Sequence, residues 1–276
     1  YGSASNASDL TASNFIDEVE LEIGGQLIDR HCGEWMDIWV ELTHSASKKN
    51  QYNKLTQKGI DARWLPLQFS FCRNPGLAIP LIALQYHEVK LNFRFKTIDA
   101  NASVYLYCDY IYLDTDERRR FAQTSHEYLI EQTQSSKKNA IQNGCVAKIP
   151  LHFNHPVKEL VWHANADQTA KVKSATALLR LNGHERFSKR YHGYFSRVQR
   201  YQHHSGNHAA GDDRIASYSF ALQPEEHQPS GTCNFSRIDN AQLTFSAGFQ
   251  TAGYIYAVNY NVLRVMSGMG GLAYSN

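Results

Sequence analysis

The chain has 276 residues, enough for one large or two ordinary domains with substantial cores. Hydrophobic residues make up 42% and charged residues 20%, which excludes a disordered chain, and the 12% aromatic content, with 16 Tyr, favours sheets over helices. A formal net charge of +2 is too weak to imply a nucleic-acid or acidic-surface partner, and no apolar run approaches the ~20 residues of a membrane-spanning helix.

Residues 1–14, rich in Ser, Ala and Asn, read as a flexible loop, and no signal-peptide pattern is read in them ahead of the first strand. Val19, Leu21 and Ile23 then alternate with Glu18, Glu20 and Glu22, the period of a strand with one wet face. Gly24-Gly25 supplies the positive-φ pair of a tight hairpin. Trp35, Trp39 and Leu42 recur at helical spacing and predict a short helix. The polar residues 44–62 predict an exposed loop.

The stretch Leu65–Phe95 reads as two strand-like runs joined by a Pro/Gly-rich bend. In its second run Val89, Leu91, Phe93 and Phe95 form one face and Lys90, Asn92, Arg94 and Lys96 the other, which predicts a strand with an interior face. Val104–Leu113 is apolar on both faces and predicts a central strand. Asp114 or Thr115 is placed to cap a single helical turn within Asp114–Thr124. Beyond it, Glu127–Gln132, Ile149–Phe153 and Glu159–Trp162 are strand-like.

Three of these segments then recur in the same order. Ala177, Leu179, Leu181 and the Asn182-Gly183 turn repeat the first hairpin. Tyr218–Phe245 repeats Leu65–Phe95, with Leu243-Thr244-Phe245 answering Leu91-Asn92-Phe93 and Ala241 on the same inner face. Tyr254–Leu263 repeats Val104–Leu113. Offsets of about 150 to 158 residues are too long for a solenoid and indicate a duplicated domain. Short strands, Greek-key-length connections and turn signals in each copy predict an all-β pair of sandwiches or jelly rolls. The domains are placed at 1–115 and 125–276, with 116–124 as linker. The second copy carries more strand-like chain before its hairpin than the first, so about 34 residues are expected upstream of Tyr1, or another segment in their place.

Candidate chemistry is sparse. His203, His204 and His208 cluster in a Gly/Ser/Asn-rich stretch whose nearest carboxylates in sequence are Asp212 and Asp213, which predicts a solvated loop and not a metal site. Ser267–Gly271 lacks the Lys-Ser/Thr and following helix of a phosphate loop; it predicts a turn and close backbone packing at a strand end. There is no Gly-x-Ser-x-Gly elbow and no pair of facing carboxylates. Asn6, Asn101 and Asn234 open glycosylation sequons, with Asn234 poorly placed just before a predicted strand. The five cysteines, Cys32, Cys72, Cys108, Cys145 and Cys233, form no disulfide framework or zinc spacing and suit a reducing compartment. No catalytic, cofactor or metal residue is assigned, and no cofactor is expected.

Longer stretches are more specific than a fold class. They are the hairpin Asp17–Gly25, NPGLAIPLIALQYHEVKL from Asn74 to Leu91, and YIYLDTDERRRFAQTSHEYLIEQ from Tyr110 to Gln132. QPSGTCNFSRIDNAQL from Gln228 to Leu243 and NYNVLRVMSGMGGLAYSN from Asn259 to Asn276 complete the set. Together they closely resemble the double jelly-roll major capsid proteins of nucleocytoplasmic large DNA viruses, nearest to those of algal and amoebal viruses, over nearly the whole chain. The resemblance implies two tandem eight-stranded jelly rolls with short helices in loops, the first lacking its opening strands here. It implies a structural protein and not an enzyme, found in the virion capsid shell and assembled in the host cytoplasm. Its expected partners are itself, as a homotrimer and then neighbouring capsomers of pseudo-hexagonal outline, and minor capsid proteins. Direct nucleic-acid contact is not expected, and the inner viral membrane is reached only indirectly. Loops at 44–62, 96–103, 199–214 and 246–252 would supply the exposed or inter-subunit surface. The alternative is a non-enzymatic glycan-binding tandem β-sandwich using exposed Tyr and Trp, which saturable sugar-specific binding on a glycan array would favour. An enzymatic reading rests only on His203, His204 and His208, and stoichiometric zinc or iron there would support it.

Overall fold

The computed structural model describes residues 15–56, 64–96, 103–136, 146–164, 174–206, 213–246 and 251–275. Strands β1 (Ile16–Ile23) and β2 (Gln26–Cys32) form the first hairpin. Gly24 and Gly25 turn it at φ 57° and 83°, the left-handed pair that matches strand twist. A side chain at Gly24 would also strike the His87 ring, so space as well as φ reserves the position. The strand β3 (Val89–Phe95) returns antiparallel on the far side of β1, with Leu21 opposite Leu91 and Val19 opposite Phe93. The outer face of this three-stranded sheet is laced with ion pairs, Arg30 to Glu18 and Glu20, and Arg94 to Asp17 and Glu18. Exposed as they are, such pairs add at most about 1 kcal/mol each.

The second half repeats this arrangement. β7 (Thr176–Leu181) and β8 (His184–Glu185) are joined by Asn182-Gly183 at φ 50° and 83°. β12 (Ala241–Phe245) returns antiparallel on β7 with Leu243 opposite Leu179. Between them in sequence lie β9 (Arg190–Tyr191), β10 (Ile215–Ser219) and β11 (Cys233–Asn234). With β5 (Ala147–Pro150) and β9, β7, β8 and β12 make a five-stranded sheet. It faces a six-stranded sheet of β4 (His126–Ser135), β6 (Pro156–Ala164), β10, β11, β13 (Thr251–Met266) and β14 (Met269–Leu272). Leu160, Trp162, Leu179, Leu243, Phe245, Ile255 and Ala257 fill the space between, all essentially inaccessible. The outer residues of the same strands, Val161, Tyr256 and Val258, are buried too, because a helix covers them. Burial on both faces is why β6 and β13 read as continuous apolar runs.

That helix is α1 (Gly33–Thr43), as the Trp35, Trp39 and Leu42 spacing predicts; Trp35, Ile38, Trp39 and Leu42 pack on Val161, Ile215, Tyr256 and Val258. The first half's core likewise takes in residues of the second. Val19, Leu21, Ile23, Met36, Phe69 and Leu84 pack with Ile130, Leu263 and Val265. The two halves therefore share buried surface along two clusters.

Five expectations are corrected. Residues 46–56 are not an exposed loop but the helix α2 (Ala46–Thr56), anchored by buried Tyr52 and Thr56 four residues apart. Tyr52 donates to Asp37 at 3.2 Å, a tertiary bond that a polar sequence does not advertise. The first run of Leu65–Phe95 is irregular and ends in a helical turn, α3 (Ser70–Arg73), because Pro66, Pro75 and Pro80 deny it ladder donors. The single turn after Asp114 is a nine-residue helix, α4 (Thr115–Gln123), with the Asp114 carboxylate accepting from Glu117 N at 2.9 Å. Val104–Leu113 forms no strand, and Tyr105, Tyr107, Tyr110, Ile111 and Tyr112 are exposed. Its counterpart β13 is flanked by β4 and β6, whereas no described strand pairs with 104–113. The expected exposed surface at 199–214 also opens with a helix, α5 (Gln199–His203), whose Gln199 and Arg200 are buried.

The interior face of β3 is only half-buried, while Ala241, Leu243 and Phe245 are buried fully. Unlike β12, which has β5 on its other side, β3 has no described neighbour there. Leu243→Ala should accordingly cost about 3 kcal/mol, and Leu91→Ala about half that or less. Urea midpoints for the two variants check the ranking; equal losses would mean that β3 packs as a central strand.

Candidate functional surface

The described side chains that converge do so at the seam between the halves, and they do so as ion pairs. Lys158, near the start of β6 and inaccessible to solvent, sets Nζ 2.5 Å from Glu131 Oε1 on β4. The other Glu131 oxygen lies 3.2 Å from Arg73 of α3, whose guanidinium stacks 4.4 Å from the centre of the Trp39 ring. One carboxylate thus holds a cation from each half. A crevice of about 250 Å³ opens beside it, lined by Trp39, Arg73, Asn74, Glu131, Glu225 and His227.

A second cluster surrounds His204, immediately after α5. Its Nε2 lies 3.1 Å from Glu159 Oε2 and its Nδ1 3.1 Å from Glu225 Oε1, and neither His204 nor Glu159 exposes its side chain. Burial alone would push the imidazole pKa down, but the two carboxylates outweigh it and hold it up to about 9. Burial likewise works against the Glu225 carboxylate, yet hydrogen bonds from His204 and Ser205 keep it below its ordinary value. The following residues grip the C-terminal end of α1: Gly206 N donates to Leu42 O at 2.8 Å and Ser205 Oγ to Thr43 O at 3.1 Å. A Cβ at Gly206 would come within 2.2 Å of Leu42 O, so only glycine permits the approach.

A third junction joins α1 to β13. Tyr256 Oη donates to Glu34 at 3.2 Å and stands 3.1 Å from Cys32 Sγ, which also accepts from Trp35 N. Burial raises both the Cys32 and Tyr256 pKa values, so the thiol stays protonated and unreactive.

The residues singled out in sequence separate in space. His203 turns outward, its Nδ1 2.9 Å from Leu222 O, while His204 points in; the expectation of a solvated histidine loop is wrong for His204. The signal was hidden because its carboxylates, Glu159 and Glu225, are 45 and 21 residues away in the chain. Asp213 is bound by Arg197, which with Ser196 holds its carboxyl below the usual range despite partial burial. His208, Asp212, Asn6, Asn101 and Cys145 lie outside the described residues. Among the described residues no three His, Cys, Asp or Glu converge as metal ligands. Ser267-Gly268 turns the β13–β14 hairpin at φ 53° and 78°, and Gly268 and Gly270 lie too close to Tyr86 and Leu84 for side chains. Asn234 is exposed and its Oδ1 caps a helical turn by accepting from Ser236 N.

This arrangement of two repeated sheet units locked through buried seams matches known proteins across almost its whole length. Residues 117–271 match the family described as large eukaryotic DNA virus major capsid protein, and residues 2–114 match the major capsid protein N-terminus family. A major capsid protein of Pyramimonas orientalis virus is 50% identical over 95% of this chain and 76% of its own length. The chain belongs to the major capsid proteins of large eukaryotic DNA viruses. The major capsid protein of Paramecium bursaria Chlorella virus 1 is 39% identical over 96% of this chain and 80% of its own. The subunit in the quasi-atomic capsid model of that virus superimposes with a TM-score of 0.81 at 36% identity, covering 96% of this chain and 85% of its own. The fold is the all-β double jelly roll, and the role of this capsid protein is structural: it is a component of the virion shell.

Proposed function

We propose that this capsid protein forms homotrimers of pseudo-hexagonal outline, which pack against neighbouring capsomers to tile an icosahedral shell. The observation that carries the reading is the repeated unit, β1–β2 with β3 and β7–β8 with β12, in two halves that share buried seams. Two similar halves in each of three subunits present six similar walls, which suits a flat lattice. The division into 1–115, a linker 116–124 and 125–276 fits the exposed helix α4 and the junction of the two family matches. Minor capsid proteins beneath the shell, indirect contact with an inner membrane, assembly in the host cytoplasm and the absence of enzymatic activity complete the proposal. The side chains that converge serve packing, which supports a scaffold.

The exposed tyrosines fit this reading better than glycan binding. Tyr105, Tyr107, Tyr110 and Tyr112 share an extended segment with exposed Val104, Leu106 and Ile111, a mixture suited to strand packing. Light scattering on the purified full-length protein tests the assembly. A species of three times the subunit mass is expected, and a monomer that persists at high concentration would count against the trimer.

A further inference from the structure

We propose that His204, Glu159 and Glu225 form a proton-dependent latch that fastens the second half of the subunit onto helix α1 of the first and releases it in alkali. The geometry is that of a clasp. One imidazole bridges two carboxylates, Glu159 from β6 and Glu225 from the loop after β10, at 3.1 Å each. Ser205 ties the same Glu225 through both its N at 2.9 Å and its Oγ at 2.6 Å. The strap then closes on α1 through Ser205 Oγ and Gly206 N. Among the described residues no hydrogen bond reaches either Glu159 oxygen, and the His204 imidazole, 3.1 Å from Oε2, is the cation that stands beside them. Loss of the imidazolium charge would leave that carboxylate buried without a cation, which an interior cannot tolerate cheaply.

The surrounding charges leave His204 in that role. Lys158, next to Glu159 in sequence, is engaged with Glu131, which also holds Arg73. Arg200 of α5 faces Glu41 of α1, and Glu41 also pairs with Lys49 of α2. Tyr260 feels Glu131 and Glu159, and its phenol is pushed up to about 12 chiefly by burial, so it stays neutral across the range concerned. His44, at the end of α1, is lowered by burial and by Lys48, and only weakly raised by Glu225. Because the folded-state imidazole titrates above its unfolded value, the latch is fully closed below about pH 6.5 and is lost as pH rises through about 9.

Tryptophan fluorescence of the full-length protein between pH 6 and 10 tests this, since Trp35 and Trp39 lie buried in the seam. A transition centred near pH 9 is expected, and it should vanish in His204→Gln. Glu225→Gln, which keeps the imidazole but removes one carboxylate, should move the transition down by roughly one pH unit. Should His204→Gln fail to fold, the Glu225→Gln shift and an NMR titration of the His204 ring decide the matter. An unchanged midpoint in Glu225→Gln, or a ring titrating at or below its ordinary value, would overturn the latch.

Discussion

Lys158→Ala is expected to cost about 3–5 kcal/mol, the range for removing one partner of a buried ion pair. The ammonium has no access to solvent, sits 2.5 Å from Glu131 and lies 5.4 Å from the centre of the Tyr260 ring. Its removal leaves Glu131 buried with only Arg73 beside it, and opens a void near the start of β6. The loss should far exceed that of the exposed Arg94, whose pairs with Asp17 and Glu18 are screened by water. A double-mutant cycle isolates the pair: Lys158→Met with Glu131→Gln should cost clearly less than the sum of the single changes. Denaturant unfolding gives all three values. If Lys158→Ala costs under about 1 kcal/mol, the seam is held by its apolar contacts and not by this charge.

The local order of this fold was largely legible in the sequence. The glutamates between Val19, Leu21 and Ile23, the Gly24-Gly25 and Asn182-Gly183 turns, and the matching Leu91 and Leu243 rows are period-two and turn-chemistry signals that act within a few residues. They placed both hairpins and the strand that returns on each. Val104–Leu113 shows the limit of that signal. Its composition is that of a strand covered on both faces, but composition states what a segment prefers, and a strand exists only where a partner completes its hydrogen bonds. The α2 helix failed for the opposite reason: its polar surface resembles a loop, and the two side chains that dock it, Tyr52 and Thr56, look unremarkable singly.

The seam was the least legible part. Glu131, Lys158, Glu159, Arg200 and His204 are charged or titratable residues that a pattern reading assigns to solvent. Each is buried because its partner arrives from a distant part of the chain: Arg73 to Glu131, Glu41 to Arg200, Glu225 to His204. Burying charge to join two halves is costly unless every group is matched, so these pairs fix how the halves sit more than they add stability. A shell subunit gains from such a seam, because a lattice amplifies any error in the angle between its two walls.

The second large effect is expected at Trp162, where Trp162→Ala should cost about 3–5 kcal/mol. The indole is fully buried between Phe195 at 5.3 Å and Phe245 at 5.9 Å, centre to centre, in the core of the second half. Its Nε1 donates to His192 Nε2 at 3.3 Å, a bond that requires that nitrogen to be unprotonated. Burial pushes the His192 pKa down to about 4, against a weaker upward pull from Asp213. The unfolded chain therefore binds this proton more readily than the folded one, and the protein should lose up to about 3 kcal/mol as pH falls from 6.5 toward 4. His192→Gln should flatten that slope, and Trp162→Phe, which keeps a ring but removes the donor, should move it to higher pH. Unfolding free energies measured from pH 7 to 4 check both changes. An unaltered acid slope in His192→Gln would place the sensitivity elsewhere. Since His204 weakens the fold in alkali and His192 in acid, the two buried histidines bracket a neutral window of maximum stability for the subunit.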